Sequence, residues 1–483
     1  MGTSVKKPLE DFGYNFACGM FGIEFQESIL RINWTRGVVM KRALFLGLGS
    51  VFLLSVFIAG CVLPAMKDKP KPVADLPSTP ERTPRYEHDG RIIARASLHN
   101  HTTYSDGCRP ADDLLDMAEA QGMSILAYTD HREGKVCYGD HICADRGGVE
   151  STGYDEYYDH LRRLQDDALS REMIVLKGVE VSPPYFRNHG KFPNLVFIGQ
   201  VDHFTVYNVE DTEILKNMPT RDTVPLAPEE EYHKKPYRDF VNYIHENGGI
   251  VHCVHPEWAP DSWYGPVHNL NPKPLYNVTF DNITTFASLP EGWHIVPRPG
   301  GIWDSVLTDY IAGMRDRPLW TSADADYHCG GSLAIATTLF YMDEFTEAEV
   351  YKCMRDGRMV ALMGEAFQDS YVAEWWVSDD MTPRRQVMLG EEVRIDKSPT
   401  VRFSLDRPVS DCKTILVRNG VVVKEVAGTE LTFHDTEWKP EDGPAYYRVE
   451  VIGPVADTEP WEAPTMPESE MFVNPMFIKW AVK

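Results

Sequence analysis

Between Arg91 and about Gly364, short apolar runs alternate with segments whose apolar residues recur every three or four positions. The runs "RIIARASLH", "MSILAYTDH", "MIVLKGVEV", "NLVFIGQ" and "IVHCVHP" predict buried strands. Segments such as "PADDLLDMAEAQG", "YDEYYDHLRRLQDDALSRE" and "YRDFVNYIHENGG" predict amphipathic helices, and Thr346 and Glu349 are placed as a capping box for another helix. This alternation predicts an α/β domain over residues 90–365, built on a mostly parallel sheet, closed or open.

The pattern changes after about Arg384. The runs "VRFSLD", "KTILVRNGVVVKEV", "ELTFHD" and "AYYRVEVIG" are short and alternate between apolar and polar residues. Asn419-Gly420 is a typical hairpin turn between two such strands. We therefore expect a small antiparallel β-sandwich over residues 384–483.

The first 89 residues have a different character. "MKRALFLGLGSVFLLSVFIAGC" (Met40–Cys61) has a basic start, an apolar run and small residues before a cysteine, which is the layout of a bacterial lipoprotein signal peptide. We expect cleavage before Cys61, lipidation of this residue and export to the bacterial envelope, with the chain facing the periplasm or the exterior. A single transmembrane anchor is the alternative. Residues 1–39 are then an upstream extension, and the Pro-rich residues 62–89 predict a tether.

Composition and charge narrow the range of partners. A chain of 483 residues has room for two or three domains. Its net charge of −24, from 72 acidic and 48 basic residues, disfavours binding to nucleic acid. Of the nine cysteines, Cys137 and Cys143 are close enough in one loop to form a disulfide, and no CxxC motif indicates a thiolate zinc site.

Histidines and carboxylates occur where the predicted strands end. In a parallel α/β barrel these ends meet at one face, and active sites lie there. A single histidine of this kind is more often an ordinary core residue, but the joint pattern favours a metal site. The residues concerned are His99, His101, Asp130, His131, Glu180, His252, His255, Asp324, Asp326 and His328.

The spacing of these residues has a physical meaning. Residues i and i+2 of a strand point the same way, so His99 and His101 can face one ion, as can Asp326 and His328. A carboxylate such as Glu180 can bridge two ions. Imidazole and carboxylate ligands suit Zn, Mn or Fe, and their number predicts two or three divalent ions.

The segments "SLHNHTTYSDG", "AYTDH", "GVEVS", "HP" and the final Asp-x-His resemble the motif series of the PHP (polymerase and histidinol phosphatase) superfamily. The resemblance covers residues 90–365 and implies a distorted (β/α)7 barrel, TIM-like, with a di- or trinuclear metal site that hydrolyses phosphate esters. The C-terminal sandwich resembles that of exported PHP proteins in a branch that includes carbamate-ester hydrolases. By position, the resemblance implies the metal ligands His99, His101, Asp106, His131, Glu180, His255, Asp326 and His328, with Asp130 orienting His131.

The sequence departs from the family pattern at two places. The histidine that usually opens the strand after the glutamate motif is replaced by Asn194, and His189 is a possible substitute. The final motif fits either Asp326-x-His328, which we favour, or Asp324-x-Asp326.

These observations predict a hydrolase in which a metal-activated water attacks a small ester at phosphorus or at an acyl carbon. No GxSxG motif supports a serine nucleophile. Arg132 is a candidate for binding an anionic substrate, or else an ordinary loop arginine. The alternatives are a carbamate, carboxyl-ester or amide hydrolase on the same metal site, and a surface lipoprotein that binds metal or ligand without catalysis.

Overall fold

The computed structural model describes residues 82–138, 142–145, 147–182, 185–187, 195–198, 203–219, 229–257, 262–264, 267–269, 274–290, 292, 294–379, 389–453 and 469–480. The predicted signal peptide and residues 62–81 of the predicted tether lie outside this set. Within it, no helix is both long enough and apolar enough to cross a membrane.

The helices lie mainly in the first three quarters of the described chain. They are α1 (Ala111–Ala120), α2 (Val149–Thr152), α3 (Tyr154–Ser170), α4 (Thr212–Lys216), α5 (Glu229–Glu246), α6 (Ile302–Ile311) and α7 (Glu347–Asp356). Short 3₁₀ helices are formed by Pro274–Thr279, Glu365–Phe367 and Pro440–Asp442.

The strands extend over the whole described chain. The first twelve are β1 (Arg85–His88), β2 (Arg91–Ser97), β3 (Ile125–Tyr128), β4 (Lys135–Tyr138), β5 (Ile142–Asp145), β6 (Ile174–Val181), β7 (Tyr185–Arg187), β8 (Leu195–Ile198), β9 (Phe204–Tyr207), β10 (Ile250–Cys253), β11 (Ser262–Tyr264) and β12 (Val267–Asn269). The others are β13 (Thr285–Leu289), β14 (Trp320–Ala323), β15 (Ala336–Met342), β16 (Met359–Met363), β17 (Val372–Ser378), β18 (Glu392–Ile395), β19 (Thr400–Leu405), β20 (Lys413–Arg418), β21 (Val421–Ala427), β22 (Glu430–His434), β23 (Ala445–Ile452) and β24 (Glu470–Trp480).

One large sheet has the strand order β14-β13-β10-β9-β6-β3-β2-β15-β16-β24-β23-β20-β21. Strands β2, β3 and β6 are parallel, as are β10, β13 and β14. Strand β9 lies between these two groups and is antiparallel to both β6 and β10. The chain is therefore a mixed α/β protein whose sheet is parallel in two blocks.

Two elements differ from the expected organisation. Strand β1 lies within the span predicted as a tether and pairs with β2, so residues 85–88 belong to the sheet. Strand β8, expected in the main sheet, pairs instead with β7 and β12 in a separate four-stranded sheet.

Helix α3 shows why these segments fold as the pattern predicts. Tyr157, Leu161, Leu164 and Ala168 recur every three or four residues and are all buried. This apolar stripe packs against the sheet, and the opposite side of the helix is polar and exposed. One of the two hydrogen bonds of the predicted capping box is present at the start of α7. The Thr346 hydroxyl accepts this bond from the Glu349 N–H at 3.2 Å.

Most C-terminal strands pair antiparallel, as predicted, whereas β18 pairs parallel with β24. Asn419 and Gly420 form the turn between β20 and β21 with φ angles of 48° and 79°, which suits an Asn-Gly hairpin. Strands β17, β19 and β22 form a three-stranded sheet that shares a hydrophobic core with β20, β23 and β24.

Strand β24 joins this region to the α/β part by pairing with β16. Successive side chains of a strand point to opposite faces, so β23 and β24 contribute to two cores. Tyr446 and Phe472 pack into the core of the α/β part, whereas Tyr447 and Val473 pack into the C-terminal core. The sheet is thus continuous across the predicted domain boundary.

Candidate metal centre

The polar strand ends meet at one edge of the large sheet. His99 and His101 follow β2, His131 follows β3, and His255 follows β10. Backbone hydrogen bonds join two of these ends to neighbours: the His101 N–H donates to the Tyr327 carbonyl at 2.8 Å, and the Tyr327 N–H donates to the His99 carbonyl at 3.3 Å. The segment after β14, which carries Asp326 and His328, is thereby held beside the end of β2.

Glu180, in β6, lies at the middle of the cluster with 1% of its side chain exposed. Its two oxygens face five imidazoles. Oε1 lies 2.7 Å from His203 Nδ1, 3.3 Å from His255 Nε2 and 3.4 Å from His99 Nε2, and Oε2 lies 2.8 Å from His131 Nδ1 and 3.2 Å from His101 Nε2.

Four groups of side chains in the described residues are arranged so that one metal ion can contact every member. Within each group the possible ligand atoms lie within 4.8 Å of one another. The groups are His101, Asp106, His131 and His328; His99, His101 and Glu180; His99, His255 and Asp326; and His131, Glu180 and His203. Shared members make the groups adjacent, as in a polynuclear centre.

The carboxylates of the cluster are held in their ionised form. Burial by itself raises the pKa of Glu180, but His131, His203 and His99 hold this pKa well below its ordinary value. The same opposition of burial and nearby imidazoles lowers the pKa of Asp106 and of Asp326. The site therefore holds three ionised carboxylates in a poorly solvated region.

Burial and the nearby carboxylates have opposing effects on the pKa values of the histidines, and the outcome differs between residues. Burial lowers the pKa of His99 and His131, yet the adjacent carboxylates raise both pKa values well above the ordinary one. Asp326 and Asp106 likewise raise the pKa of His328 to about 9 against the opposing effect of burial. For His203 burial prevails and lowers the pKa to about 4, so this imidazole is neutral at physiological pH and suited to bind a metal.

The buried polar atoms of the cluster form a donor set that suits a divalent cation. Within the described chain, His99 Nε2, His101 Nε2, Asp106 Oδ1 and Glu180 Oε2 are buried, and the imidazole and carboxylate atoms near them do not have the geometry of a hydrogen bond. Buried polar atoms normally have partners, and imidazole nitrogen with carboxylate oxygen is a donor set for Zn, Mn or Fe. The residues present therefore fit the divalent ions expected from the sequence.

Three residues of the candidate ligand groups have unusual backbone conformations. The φ angles of His99, His255 and Asp326 are 60°, 29° and 42°, in the left-handed region that side-chain-bearing residues seldom adopt. Such conformations cost about 1–3 kcal/mol each and cluster at functional sites. Here they turn the chain at three strand ends so that these side chains face the cluster.

Neighbouring polar residues orient the ligands. His99 Nδ1 lies 3.0 Å from the Thr129 hydroxyl, which fixes the ring with Nε2 toward Glu180. The family resemblance implies that Asp130 orients His131, but the ring nitrogens of His131 face Glu180 and Asp106. The Asp130 carboxylate instead accepts hydrogen bonds from the loop that carries Asp106. The donors are Thr102 N–H at 2.7 Å, Thr102 Oγ1 at 2.8 Å and Ser105 Oγ at 2.7 Å.

The structure distinguishes between the two registers of the final motif, Asp326-x-His328 and Asp324-x-Asp326. Asp326 and His328 each belong to a candidate ligand group. Asp324 is buried and lies 3.1 Å from His252 Nε2, whose Nδ1 lies 2.8 Å from the Thr285 hydroxyl. Asp324 and His252 thus form a buried pair beside the cluster, whereas both residues of the Asp326-x-His328 register lie in candidate ligand groups.

Other predicted residues lie elsewhere or outside the described chain. The Arg132 guanidinium lies 2.6 Å from the Tyr154 hydroxyl and 2.7 Å from Glu150, so its observed contacts are with α2 and α3. Its role in substrate binding remains a prediction. His189 and Asn194 lie outside the described residues, so their predicted part in metal binding also remains a prediction.

Sequence reasoning missed His203. The family pattern has a histidine at the start of the strand after the glutamate motif, and "LVFIG" is that strand in the order of the sequence. The strand beside β6 in the sheet is β9, and His203 immediately precedes it. Because β9 is antiparallel to β6 and β10, its first residue lies at the edge where those two strands end. The available signal was the sequence "HFTVY", a histidine directly before a β-branched and aromatic run.

A mixed α/β sheet with these ligand groups at one edge defines a domain with a candidate polynuclear metal centre. Residues 97–264 match the family model named PHP domain. No curated protein matches the chain.

Solved structures give weaker likenesses. A two-domain protein from Bacteroides vulgatus, containing a predicted PHP-like metal-dependent phosphoesterase, is 12% identical with a TM-score of 0.39, covering 82% of this chain and 99% of that one. A putative metal-dependent phosphoesterase from Bifidobacterium adolescentis is 13% identical with a TM-score of 0.26, and the match covers 48% of this chain and 87% of that one. An amidohydrolase from Chromobacterium violaceum, with bound sulfate and no metal, is 15% identical with a TM-score of 0.24, and the match covers 49% of this chain and 88% of that one.

Proposed function

We propose that this protein is a metal-dependent hydrolase that acts on a small phosphate ester. The observation that carries the proposal is Glu180, a buried carboxylate with five imidazole nitrogens within 3.4 Å. Burying a charge is costly unless it is paired or coordinates a metal. Asp106 and Asp326 add two further carboxylates at the same strand ends, a donor set that a structural core does not require.

The grouping of ligands supports three ions. His101, Asp106, His131 and His328 would hold one ion, and His99, His255 and Asp326 a second. His203 and Glu180, with His131 shared, would hold the third. The remaining group consists of members of these three sets, so it requires no further ion.

The exposure of the ligands indicates where a substrate approaches. The side chains of Asp106 and His328 are 37% and 34% exposed, whereas those of His99 and Glu180 are at most 1% exposed. The buried ligands therefore fix the base of the centre, and the loops carrying Asp106 and His328 form its open side.

Bound divalent ions would lower the pKa of a water molecule and stabilise negative charge on the ester. The chain itself would hold the ions, keep bulk water away from Glu180 and leave one side open to the ester. Asp130 would fix the loop at that open side through Thr102 and Ser105.

The proposed fold for this activity is a closed TIM-like barrel of the PHP type. The support is the pairing beyond β14, where the Ala325 N–H donates to the Leu98 carbonyl at 3.2 Å. This bond joins the end of the last barrel strand to the end of β2.

We also propose that the protein is exported and anchored to the bacterial envelope through lipidated Cys61. The Cys108–Cys329 disulfide supports export, since disulfides persist in oxidising compartments. Replacing Cys61 by Ser should abolish incorporation of labelled fatty acid into the protein; unchanged labelling would exclude Cys61 as the lipidated residue.

Elemental analysis of untagged protein, followed by assays on phosphomonoesters, phosphodiesters, carboxyl esters and carbamates, tests the activity. We expect bound divalent ions and turnover of an aryl phosphate, both abolished by a chelator. Glu180→Gln should lower turnover by at least about 100-fold, since even residues that only support metal ligands contribute about 10- to 100-fold. Glu213→Gln, on exposed α4, is the control.

The other outcomes distinguish the alternatives. Turnover of carboxyl esters, carbamates or amides without phosphate esters would replace the phosphoesterase assignment. Bound metal with no turnover would indicate a binding protein. Protein without metal would exclude the proposed centre altogether.

A further inference from the structure

A disulfide lies directly beside the open side of the metal centre. It joins Cys108, two residues after Asp106, to Cys329, the residue after His328, across a sequence separation of 221 residues. The two ligands that are most exposed to solvent are therefore carried on two loops that a covalent bond connects.

The connected loops also touch through their backbones. The Cys108 N–H donates to the His328 carbonyl at 2.9 Å. Gly107 packs so closely against the end of β2 that a Cβ there would lie 2.3 Å from the His101 carbonyl oxygen. Disulfide, hydrogen bond and close packing together hold Asp106 Oδ1 at 3.4 Å from His328 Nε2 and 3.5 Å from His101 Nδ1.

The other ligand groups have a different support. His99, His101 and Glu180 are fully buried at the strand ends, where sheet hydrogen bonds and the core fix them. Only the group of His101, Asp106, His131 and His328 depends on both loops for its ligands. Loosening the loops should therefore affect that group first.

We propose that Cys108 and Cys329 are positioning residues for one ion of the centre. Their disulfide holds Asp106 and His328 at the separation that this ion requires, and cleavage of the disulfide selectively weakens its binding. The proposal rests on the proposed metal-dependent function and deepens it: one ion is sensitive to the redox state of the chain, and the others are not.

The test compares metal binding by wild-type protein and by the Cys108→Ser/Cys329→Ser variant. Stepwise dissociation constants for Zn²⁺ are measured by chelator competition, and the ligand field by the absorption of bound Co²⁺. We expect one ion to bind about 10- to 100-fold more weakly in the variant, with the other constants and their absorption unchanged. The Cys412→Ser variant, which removes a buried free cysteine in the C-terminal region, should behave as wild type.

Reduction of the wild type provides a second route if the variant does not fold. Dithiothreitol donates two electrons and two protons to the disulfide, giving two thiols, and is itself oxidised to its cyclic disulfide. One ion should be lost on reduction, measured after dithiothreitol has been removed under nitrogen, and recovered after reoxidation.

Two results would overturn the proposal. Identical constants with and without the disulfide would show that it does not position the ligands. Equal weakening of every ion would show a general effect on folding. A protein that binds no metal in any form would instead refute the proposed function, so the two failures are distinguishable.

Discussion

His203 shows how much the role of one residue depends on the direction of its strand. It lies 2.7 Å from Glu180 and within the group that contains His131. Its pKa, which burial lowers to about 4, leaves a neutral imidazole ready to bind a cation. His252 is buried nearby, but it contacts Asp324 and Thr285 and belongs to none of the candidate groups in the described chain.

This difference gives a prediction at the residue scale. His203→Ala should remove one ion and reduce turnover by at least about 100-fold, because it deletes a ligand. His245→Ala, on α5 beside Arg317, serves as the matched control and should retain full metal content. Elemental analysis together with turnover measures both. Normal metal content in His203→Ala would exclude His203 as a ligand.

At the scale of elements, the end of α7 shows how a helix is stopped against the sheet. Gly357 has a φ of 73° at the C-terminal end of the helix, in a left-handed conformation that favours glycine. A Cβ at this position would lie 2.4 Å from the ring of Trp320 in β14. Helix termination and helix–sheet packing therefore both require glycine here.

A pair of variants separates these two requirements. Gly313 also has a φ of 73°, but nothing lies within 4 Å of a Cβ built on it. Gly313→Ala should lower the free energy of unfolding by about 1–2 kcal/mol through backbone strain alone. Gly357→Ala should lower it by about 1–3 kcal/mol more, because of the clash with Trp320. Urea unfolding measures both values, and equal losses would show that the clash is relieved without cost.

At the scale of the whole molecule, buried ion pairs join the α/β part to the C-terminal strands. Arg448, in β23, binds Asp304 of α6 at 2.6 and 2.7 Å. Arg298 binds both Glu450 and Glu470, two carboxylates that are at most 1% exposed. Burial, opposed by Arg298 and assisted by Glu450, raises the pKa of Glu470 to about 8.

The raised pKa predicts a pH dependence of stability. An acid whose pKa is higher in the folded state keeps its proton while the unfolded chain ionises, so the free energy of unfolding falls as pH rises between the two pKa values. For Glu470 that interval extends from its ordinary value of 4.5 to about 8. In the wild type, the free energy of unfolding should therefore fall by a few kcal/mol between pH 5 and 8, and Glu470→Gln should abolish this decrease.

Urea unfolding of wild type, Glu470→Gln and the exposed control Glu430→Gln at several pH values tests this prediction. The stability of Glu470→Gln relative to wild type should rise with pH, while Glu430→Gln should run parallel to wild type. Parallel curves for all three proteins would show that Glu470 is ionised in the folded state across this range.

Most residues of the candidate ligand groups were predictable because their signal is local. His99 and His101 are two positions apart at the end of an apolar run, and Glu180 ends another such run. The Asn419-Gly420 hairpin was predictable for the same reason, since the turn demands residues that tolerate positive φ. These features depend on the conformation of a few adjacent residues.

Sequence alone thus determined the alternation of strands and helices, the antiparallel pairing of most C-terminal strands and most members of the candidate ligand groups, because periodicity and turn chemistry act over short distances. Only the tertiary structure decided which strand lies beside β6, and with it the place of His203. It also assigned the partners of Asp130 and joined Cys108 to Cys329 across 221 residues. Such pairings depend on how distant segments pack, and no local pattern of side chains encodes that packing.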